Sequence, residues 1–575
     1  MVRLRIGSFL LLIAVALVAA AAEPRVDVEG IDGERAENVR LLLRMLREPC
    51  KASRARLESQ LKTVDSDVSR ALRPFGFYSA KVVEKKLLFG GDCWGLRLRV
   101  APGPRVQLEK VDLRLDGTAK DDEAFAKLLR TLPLKRGQAL RHADYESAKT
   151  ALSGLAAERG YHDAHFTVSR LLVNPGSQTA EAVLHFDSGP RYRFGKISFN
   201  QDAFEPTFIG RFLPFDSGTP YDAARVGELQ RALSDSQLFD SVEVRPHFDQ
   251  AVDALVPVDV NLQPRKRHAY RIGIGASTDQ GPRVRLEYQN RRINRWGHTG
   301  SASLLLSTVD SELSLRYGIP LEDPRHEQVN LQAGVKYENS DTARYTSYNL
   351  AANYTRSWDD GWRFVSYLEL SREDFEVGED QGITTLLTPG VIIGRVRSDG
   401  GLRPRRGYQF QFELKGASKA LLSDLDFVQA RLSGKYIMPL GNGRLLSRAD
   451  FGYTVGDELS LLPVSQRFFA GGDRSVRGYD YQALGPEDDN GDVVGGRYLI
   501  VGSLEYEHPI TEQWSVAAFV DVGNALDRIQ DPLETSAGLG VRWFSPLGPI
   551  RLDLAHAFND DEPVVRLHFS LGPDL

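Results

Sequence analysis

Apolar and polar residues follow different patterns in the two halves of the chain. Residues 23–266 mix helical spacing with short alternating strands, whereas residues 267–575 alternate almost throughout. In segments 283–289, 312–317 and 565–571 every second side chain is apolar, which is typical of a strand with one apolar and one polar face. The pattern predicts an α+β first half and an all-β second half.

The first half repeats. Gly103-Pro104-Arg105 returns as Gly189-Pro190-Arg191, 86 residues later, and each copy opens a short strand. Three aromatic residues, Phe77, Tyr161 and Phe239, each stand at a junction between an amphipathic helical stretch and a strand. The repeats predict three modules of outline β-α-α-β-β, at 23–102, 103–188 and 189–266. A single irregular α/β domain is the alternative.

The second half, 267–575, contains sixteen candidate strands. They begin near residues 268, 282, 298, 311, 327, 346, 361, 388, 408, 425, 445, 497, 514, 537, 549 and 564. An even number of alternating strands is what a bacterial outer-membrane barrel requires. A sandwich in water fits the alternation equally well, but a leader segment and the long series of strands favour a 16-stranded transmembrane β-barrel.

The leader is residues 1–22. Two arginines precede an apolar stretch that ends in small residues, which is typical of a secretory signal peptide. A membrane anchor is the alternative. Lys+Arg 72 and Asp+Glu 77 nearly balance, so bulk charge gives no reason to expect nucleic acid as a partner.

The chain has two cysteines, Cys50 and Cys93, both in the first module. In an oxidising compartment they can pair and close a loop. Two buried free thiols are the alternative. Their spacing excludes a catalytic CxxC pair, and two cysteines cannot supply a cysteine-rich metal framework.

A short motif carries a family resemblance. Residues 474–480 read Arg-Ser-Val-Arg-Gly-Tyr-Asp in a long connection of about 456–496, and Glu505 and the segment 519–524 follow. This order, late in a barrel that follows tandem modules, resembles the Omp85 superfamily, and the modules look like POTRA domains. Three modules look most like the TamA branch. BamA-type members typically carry five modules, and two-partner secretion transporters carry two and a plug helix.

The resemblance implies a function. It implies an outer-membrane assembly factor of a Gram-negative bacterium, with periplasmic modules, that inserts autotransporters and other barrels without covalent chemistry. Its partners would be a TamB-like inner-membrane-anchored periplasmic protein, unfolded outer-membrane proteins and outer-membrane lipid. An exporter of one dedicated secreted protein is the main alternative. An outer-membrane hydrolase is less favoured, because no nucleophile–base motif is evident.

The resemblance also implies that the long connection folds into the barrel and that its arginine reaches acidic residues on the wall. Alternation independently places Glu505 and Asp521 on the inner face. We therefore expect Arg477 to bind both carboxylates and lock the loop. Gly478 would allow the turn and Tyr479 would pack on the wall. Gly523, in the segment 519–524, is a further candidate residue of this structural lock. An exposed hairpin tip with a solvated arginine is the alternative.

The first barrel strand, at about 270–276, contains Gly273 and Gly275. It would close against the last strand, on which Phe569 and Leu571 are the candidate seam residues. Because glycine weakens strand pairing, this seam is a candidate lateral gate that admits an incoming strand, as the resemblance implies. Relief of crowding is the alternative reason for the glycines.

Two further segments carry weaker hypotheses. The run 488–492 resembles a calcium loop in composition, but its spacing does not match an EF-hand, and we interpret it as a solvated acidic loop. The basic run 265–268 lies where the third module meets the barrel, and either contacts lipid headgroups or forms a hydrophilic boundary. We expect no catalytic residues, no metal and no cofactor.

Overall fold

The computed structural model describes residues 23–89, 91–401, 403–545, 548–559 and 565–571. The predicted signal peptide, residues 1–22, lies outside the described residues. Three small α/β sheets precede a closed antiparallel barrel of sixteen strands. The predicted fold class is confirmed. In this part of the chain, no helix has both the length and the apolar character needed to cross a membrane.

The first module forms a three-stranded sheet of order β1-β3-β2 covered by two helices. Ser53 begins the second helix by accepting the backbone N–H of Arg56, which satisfies one of the donors that a helix start leaves open. Cys50 and Cys93 are joined in a disulfide. The elements are β1 (Arg25–Glu29), α1 (Gly33–Leu42), α2 (Arg54–Leu72), β2 (Lys81–Leu88) and β3 (Gly95–Ala101).

The second module repeats this arrangement, with strand order β4-β6-β5. The side chain of Asp122 caps a helix at Ala124, pairs with Arg159 at 2.7 Å and accepts the hydroxyl of Tyr161 at 3.0 Å. Burial acts to raise the pKa of Asp122, but these hydrogen bonds outweigh it and hold the pKa below its usual value. The elements are β4 (Gln107–Asp116), α3 (Glu123–Thr131), α4 (His142–Arg159), β5 (His165–Asn174) and β6 (Thr179–Asp187).

The third module has the strand order β7-β9-β8. The chain divides into two compact units within this module: the first takes the described residues up to 197 with 215–226 and 246–258, and the second takes the rest. The elements are β7 (Arg193–Asn200), α5 (Pro206–Gly210), α6 (Ala223–Asp235), β8 (Phe239–Pro246) and β9 (Leu255–Pro264). The junction aromatics Phe77, Tyr161 and Phe239 are all buried. The module boundaries stay predictions.

The sixteen barrel strands pair in chain order, each with the next. They are β10 (His268–Ser277), β11 (Gly281–Asn290), β12 (Thr299–Ser307), β13 (Asp310–Pro320), β14 (Glu327–Asn339), β15 (Ala343–Ser357), β16 (Trp362–Val377), β17 (Asp380–Ser398), β18 (Gly407–Ala417), β19 (Phe427–Leu440), β20 (Gly443–Gly456), β21 (Tyr498–Pro509), β22 (Trp514–Leu526), β23 (Glu534–Ser545), β24 (Gly548–Ala557) and β25 (Val565–Leu571). Most predicted starts fall within three residues of these.

One predicted start is wrong. β17 begins at Asp380, eight residues before the predicted position near 388. In this first part of β17, Ile383 faces outward while Leu386 packs inward against Leu462 and Phe427. An apolar side chain on each face removes the alternation on which the prediction depended.

The barrel surface is apolar outside and largely polar inside. On β22, Val516 and Val520 are exposed, whereas Phe519 and Asp521 are buried. The same alternation on β21 buries Glu505 and exposes Leu504. This arrangement is that of a membrane barrel, in which the outer face meets lipid and the lumen holds polar groups.

Candidate functional site

The candidate site lies inside the barrel and is built around the long loop, residues 457–497, which joins β20 to β21. The base of this loop is held by Arg467, whose side chain is buried. Arg467 pairs with Asp380 at 2.7 Å and donates to the carbonyls of Leu462 at 2.8 Å and Val494 at 3.0 Å. One guanidinium therefore binds both ends of the loop to the rim of the barrel.

The tip of the long loop places Arg477 against the inner wall. Its guanidinium reaches Glu505 at 2.6 Å, Asp521 at 2.8 and 3.0 Å, and Asp553 at 3.2 Å. The backbone N–H of residue 477 donates to the same Asp521 carboxylate at 3.1 Å. All four side chains are largely buried, so these charge-assisted contacts act where water screens them little.

A second arginine, Arg542 on β23, binds two of the same carboxylates. It pairs with Glu505 at 2.8 Å and with Asp553 at 2.5 Å, so two guanidinium groups share three carboxylates. The guanidinium carbon of Arg477 also lies 3.4 Å from the centre of the Phe519 ring, a cation–π contact. Sequence reasoning missed Arg542 and Asp553. The strict alternation of β23 and β24 places both inward, and that signal could have found them.

The two residues after Arg477 contact the wall as well. Gly478 has φ +98°, a conformation that favours glycine, and its N–H donates to Nε2 of His568 at 2.8 Å. Its carbonyl accepts from Arg566 at 2.6 Å. The buried Tyr479 donates its hydroxyl to Glu534 at 3.0 Å. The loop is thus bound to the last strand, β25, through two of that strand's side chains.

Gly523 has a different place in the site. It does not contact Arg477 in the hydrogen bonds and ion pairs of the described residues. A Cβ at this position would lie 2.5 Å from the carbonyl oxygen of Ile500 and 2.8 Å from the Cα of Val501. Glycine therefore allows β21 and β22 to approach closely beside the site.

The joint between the first and last barrel strands is short. β10 and β25 share one ladder pair among the described residues, Ser277 with Ser570. Two hydrogen bonds extend it: Thr278 N–H donates to the carbonyl of Phe569 at 3.1 Å, and Phe569 N–H donates to the Thr278 hydroxyl at 3.2 Å. By contrast, β24 and β25 share seven pairs and β10 and β11 share ten. We call this joint the seam.

The predicted seam residues lie on both sides of it. Gly273 and Gly275 pair with Arg285 and Arg283 of β11, not with β25 in the described residues. A Cβ on Gly275 would lie 2.9 Å from Nε of Arg283, whereas one on Gly273 would meet only ordinary contact. Crowding therefore explains Gly275 and does not explain Gly273. The carbonyl of Leu571 accepts from Arg283 at 3.3 Å.

The remaining candidate segments have local roles. The carboxylate of Asp488 accepts the backbone N–H groups of Asn490 and Asp492, which closes a turn in the run 488–492. In the basic run 265–268, Arg265 pairs with Asp240 at 3.0 Å. The lipid-headgroup hypothesis for this run stays a prediction.

Comparisons with known proteins agree with this architecture. Residues 25–102 match the first POTRA domain of TamA, and residues 293–574 match the Omp85 superfamily domain. The outer membrane protein assembly factor BamA of Neisseria meningitidis serogroup B is 22% identical over 555 residues, with 83% of this chain and 68% of the relative covered. BamA of Nitratidesulfovibrio vulgaris is 29% identical over 512 residues, with 85% of this chain and 64% of the relative covered.

A solved structure shares the fold. BamA from Haemophilus ducreyi lacking POTRA domains 1–3 superimposes with a TM-score of 0.69 at 17% identity, with 81% of this chain and 99% of that chain covered. The chain described here spans about two thirds of the length of the two BamA relatives.

A sixteen-stranded barrel preceded by α/β modules, with a long loop bound to its inner wall, defines an outer-membrane β-barrel with periplasmic POTRA domains. Within it, residues 293–574 match the Omp85 superfamily domain.

Proposed function

We propose that this protein inserts other β-barrel proteins, autotransporters among them, into the outer membrane, and that the seam is where they enter. The observation that carries the proposal is that, among the described residues, β10 and β25 share a single ladder pair. All other neighbouring barrel strands share seven or more pairs in the described residues.

The short seam favours opening at this place. A backbone hydrogen bond contributes on the order of 1 kcal/mol net. Counted over the described residues, separating β10 from β25 therefore costs far less than separating any other pair. Opening elsewhere would leave many backbone groups without partners in lipid, where each costs several kcal/mol. The described part of the barrel therefore has one preferred line of opening.

The edge of β10 is suited to receive a strand. Below Ser277 it presents backbone groups that do not pair with described residues of β25, and such an edge can extend its sheet with an added strand. Three side chains on this strand, Tyr270, Ile272 and Ile274, are 77%, 72% and 79% exposed. They offer apolar contact to the lipid-facing side of an incoming strand.

The two sides of the seam differ in how firmly they are held. β25 is bound to the long loop through His568 and Arg566, and the loop in turn is bound to the wall through Arg477. Among the described residues, the turn after β10 meets the loop at Asp473: the Thr278 hydroxyl donates to the Asp473 carboxylate at 2.7 Å, and the Asp279 carboxylate accepts the Asp473 backbone N–H at 2.8 Å. We propose that β25 is the fixed side and β10 the moving side.

The match of residues 25–102 to a TamA POTRA domain supports a TamA-type role. Its partners would be a TamB-like inner-membrane-anchored periplasmic protein, unfolded outer-membrane proteins and the lipid of the outer membrane. Strand addition and lipid displacement involve no covalent chemistry, so the activity we propose is not enzymatic and uses no cofactor.

The proposal is tested by placing a photo-activated cross-linking residue at Ile274, on the seam strand. The matched control is the same residue at Leu350, which is 59% exposed on β15, far around the barrel from the seam. Purified protein in liposomes is given an unfolded barrel substrate and illuminated during insertion. We expect substrate adducts at position 274 and few at 350. Equal adducts at both positions, or none at 274 during active insertion, would contradict entry at the seam.

A further inference from the structure

Two carboxylates meet beside the seam, and one of them contacts a histidine, His568. Asp279 lies in the turn after β10, and Asp473 lies in the long loop. One oxygen from each, together with a nitrogen of His568, all fall within 4.8 Å of one another. Among the described residues, no lysine or arginine forms an ion pair with either carboxylate. We call Asp279 and Asp473 the acidic pair.

The hydrogen bonds of Asp473 leave one of its oxygens unused. Oδ1 accepts from the Thr278 hydroxyl at 2.7 Å and lies 2.8 Å from Nδ1 of His568. Oδ2 is buried and has no hydrogen-bond partner among the described residues, in a side chain that is only 6% exposed. A buried charged oxygen without a partner is costly and points to an ion or water at that position.

The carboxylate of Asp279 adds a second negative charge beside Asp473. Asp279 accepts the backbone N–H of Asp473 at 2.8 Å, so the two side chains are held close together. Two adjacent carboxylates that share a site are stabilised by a bound cation in the same way as by a shared proton.

The hydrogen bonds of His568 determine which atoms at this site are available to bind a cation. Its Nε2 accepts the backbone N–H of Gly478, so the neutral ring carries its proton on Nδ1 and donates it to Asp473. A metal on Nδ1 would require a ring with no proton on either nitrogen, or loss of the Gly478 bond. His568 therefore orients the carboxylate, and the ligands that remain are oxygen atoms.

We propose that the acidic pair binds one divalent cation of the Ca²⁺ and Mg²⁺ class, which prefers carboxylate oxygen and water. The cation ties the turn after β10 to the long loop, and through His568 to β25, so its occupancy holds the seam closed. The inference goes beyond the assembly function and does not depend on it, because binding is measured on the isolated protein.

The test is a titration of the full-length protein, purified in detergent and stripped with EDTA, with CaCl₂, MgCl₂ and ZnCl₂ at pH 8 in a calorimeter. We expect one Ca²⁺ or Mg²⁺ site with a dissociation constant on the order of 10⁻⁴–10⁻³ M. Asp279→Asn should weaken it at least tenfold. Asp489→Asn, an exposed acid in the same loop, should leave it unchanged and controls for general surface charge.

A second measurement follows the seam directly. Spin labels at Ile274 and at Phe569 should report a narrower distance distribution with saturating Ca²⁺ than with EDTA, and no such change in Asp279→Asn. Absence of binding, equal binding by wild type and Asp279→Asn, or a site that binds Zn²⁺ and ignores Ca²⁺ and Mg²⁺ would each overturn the proposal. An unchanged distance distribution on binding would overturn its link to the seam.

Discussion

Replacing Arg477 by alanine removes the centre of the ion network that binds the long loop to the wall. Glu505 and Asp553 keep a partner in Arg542. Asp521 is fully buried, and among the described residues its remaining hydrogen-bond donors are neutral: the Ser503 hydroxyl at 2.6 Å and the backbone N–H of residue 477. The damage is therefore concentrated on one stranded charge.

The magnitude follows from that stranded charge. Removing one partner of a buried ion pair costs about 3–5 kcal/mol. Since each 1.4 kcal/mol is tenfold, the open form of the loop tip should become about 10²- to 4 × 10³-fold more populated. The base of the loop should stay bound, because Arg467 has its own contacts with Asp380 and two carbonyls.

Hydrogen exchange read by mass spectrometry measures this effect peptide by peptide. We expect faster exchange across 474–480 in Arg477→Ala and little change across 462–469. Arg474→Ala removes an exposed arginine from the same loop and is the matched control. Arg477→Ala/Asp521→Asn should recover part of the loss, because the second change removes the stranded charge. Unchanged exchange at the loop tip in Arg477→Ala would refute the locking role.

Three other predictions follow from the seam and the periplasmic modules. A disulfide engineered between Ser277 and Ser570 should hold the seam closed and abolish insertion of a barrel substrate into liposomes; full activity of the cross-linked protein would count against opening. In a fragment of residues 23–188, Asp122→Asn should cost the second module about 1–3 kcal/mol in urea unfolding. Because the folded pKa of Asp122 is lowered, its contribution is present above about pH 4 and should be lost as the pH falls through that lowered pKa; a difference that stays the same down to pH 2 would contradict this. Replacing both Cys50 and Cys93 by serine opens a loop of 43 residues and should lower the stability of the first module by about 4 kcal/mol, and an unchanged unfolding midpoint would show that the disulfide does not stabilise it.

The strand pattern of the barrel could be predicted because its cause is local. One face of each strand meets lipid and the other meets the lumen, so period-two alternation survives along most of the wall. It fails in the first part of β17, where Leu386 packs against a residue of the long loop, Leu462. Alternation also placed Glu505 and Asp521 inward, where the structure has them.

The other residues of the site depend on contacts that no local pattern encodes. Closing the barrel brings His568 of the last strand to the loop tip and brings Asp473 to the turn after the first strand. These pairs are separated by 90 and 195 positions in the chain. The shortness of the seam likewise depends on the register at closure, which follows from the summed stagger of all sixteen strands.

The most direct test of the assembly function is quantitative mass spectrometry of outer membranes from a strain that lacks this protein. The account predicts reduced levels of several barrel proteins or autotransporters, restored by the wild-type gene and not by a variant whose seam is cross-linked. Loss of a single secreted protein, with all barrel proteins at normal levels, would contradict it and indicate a dedicated exporter.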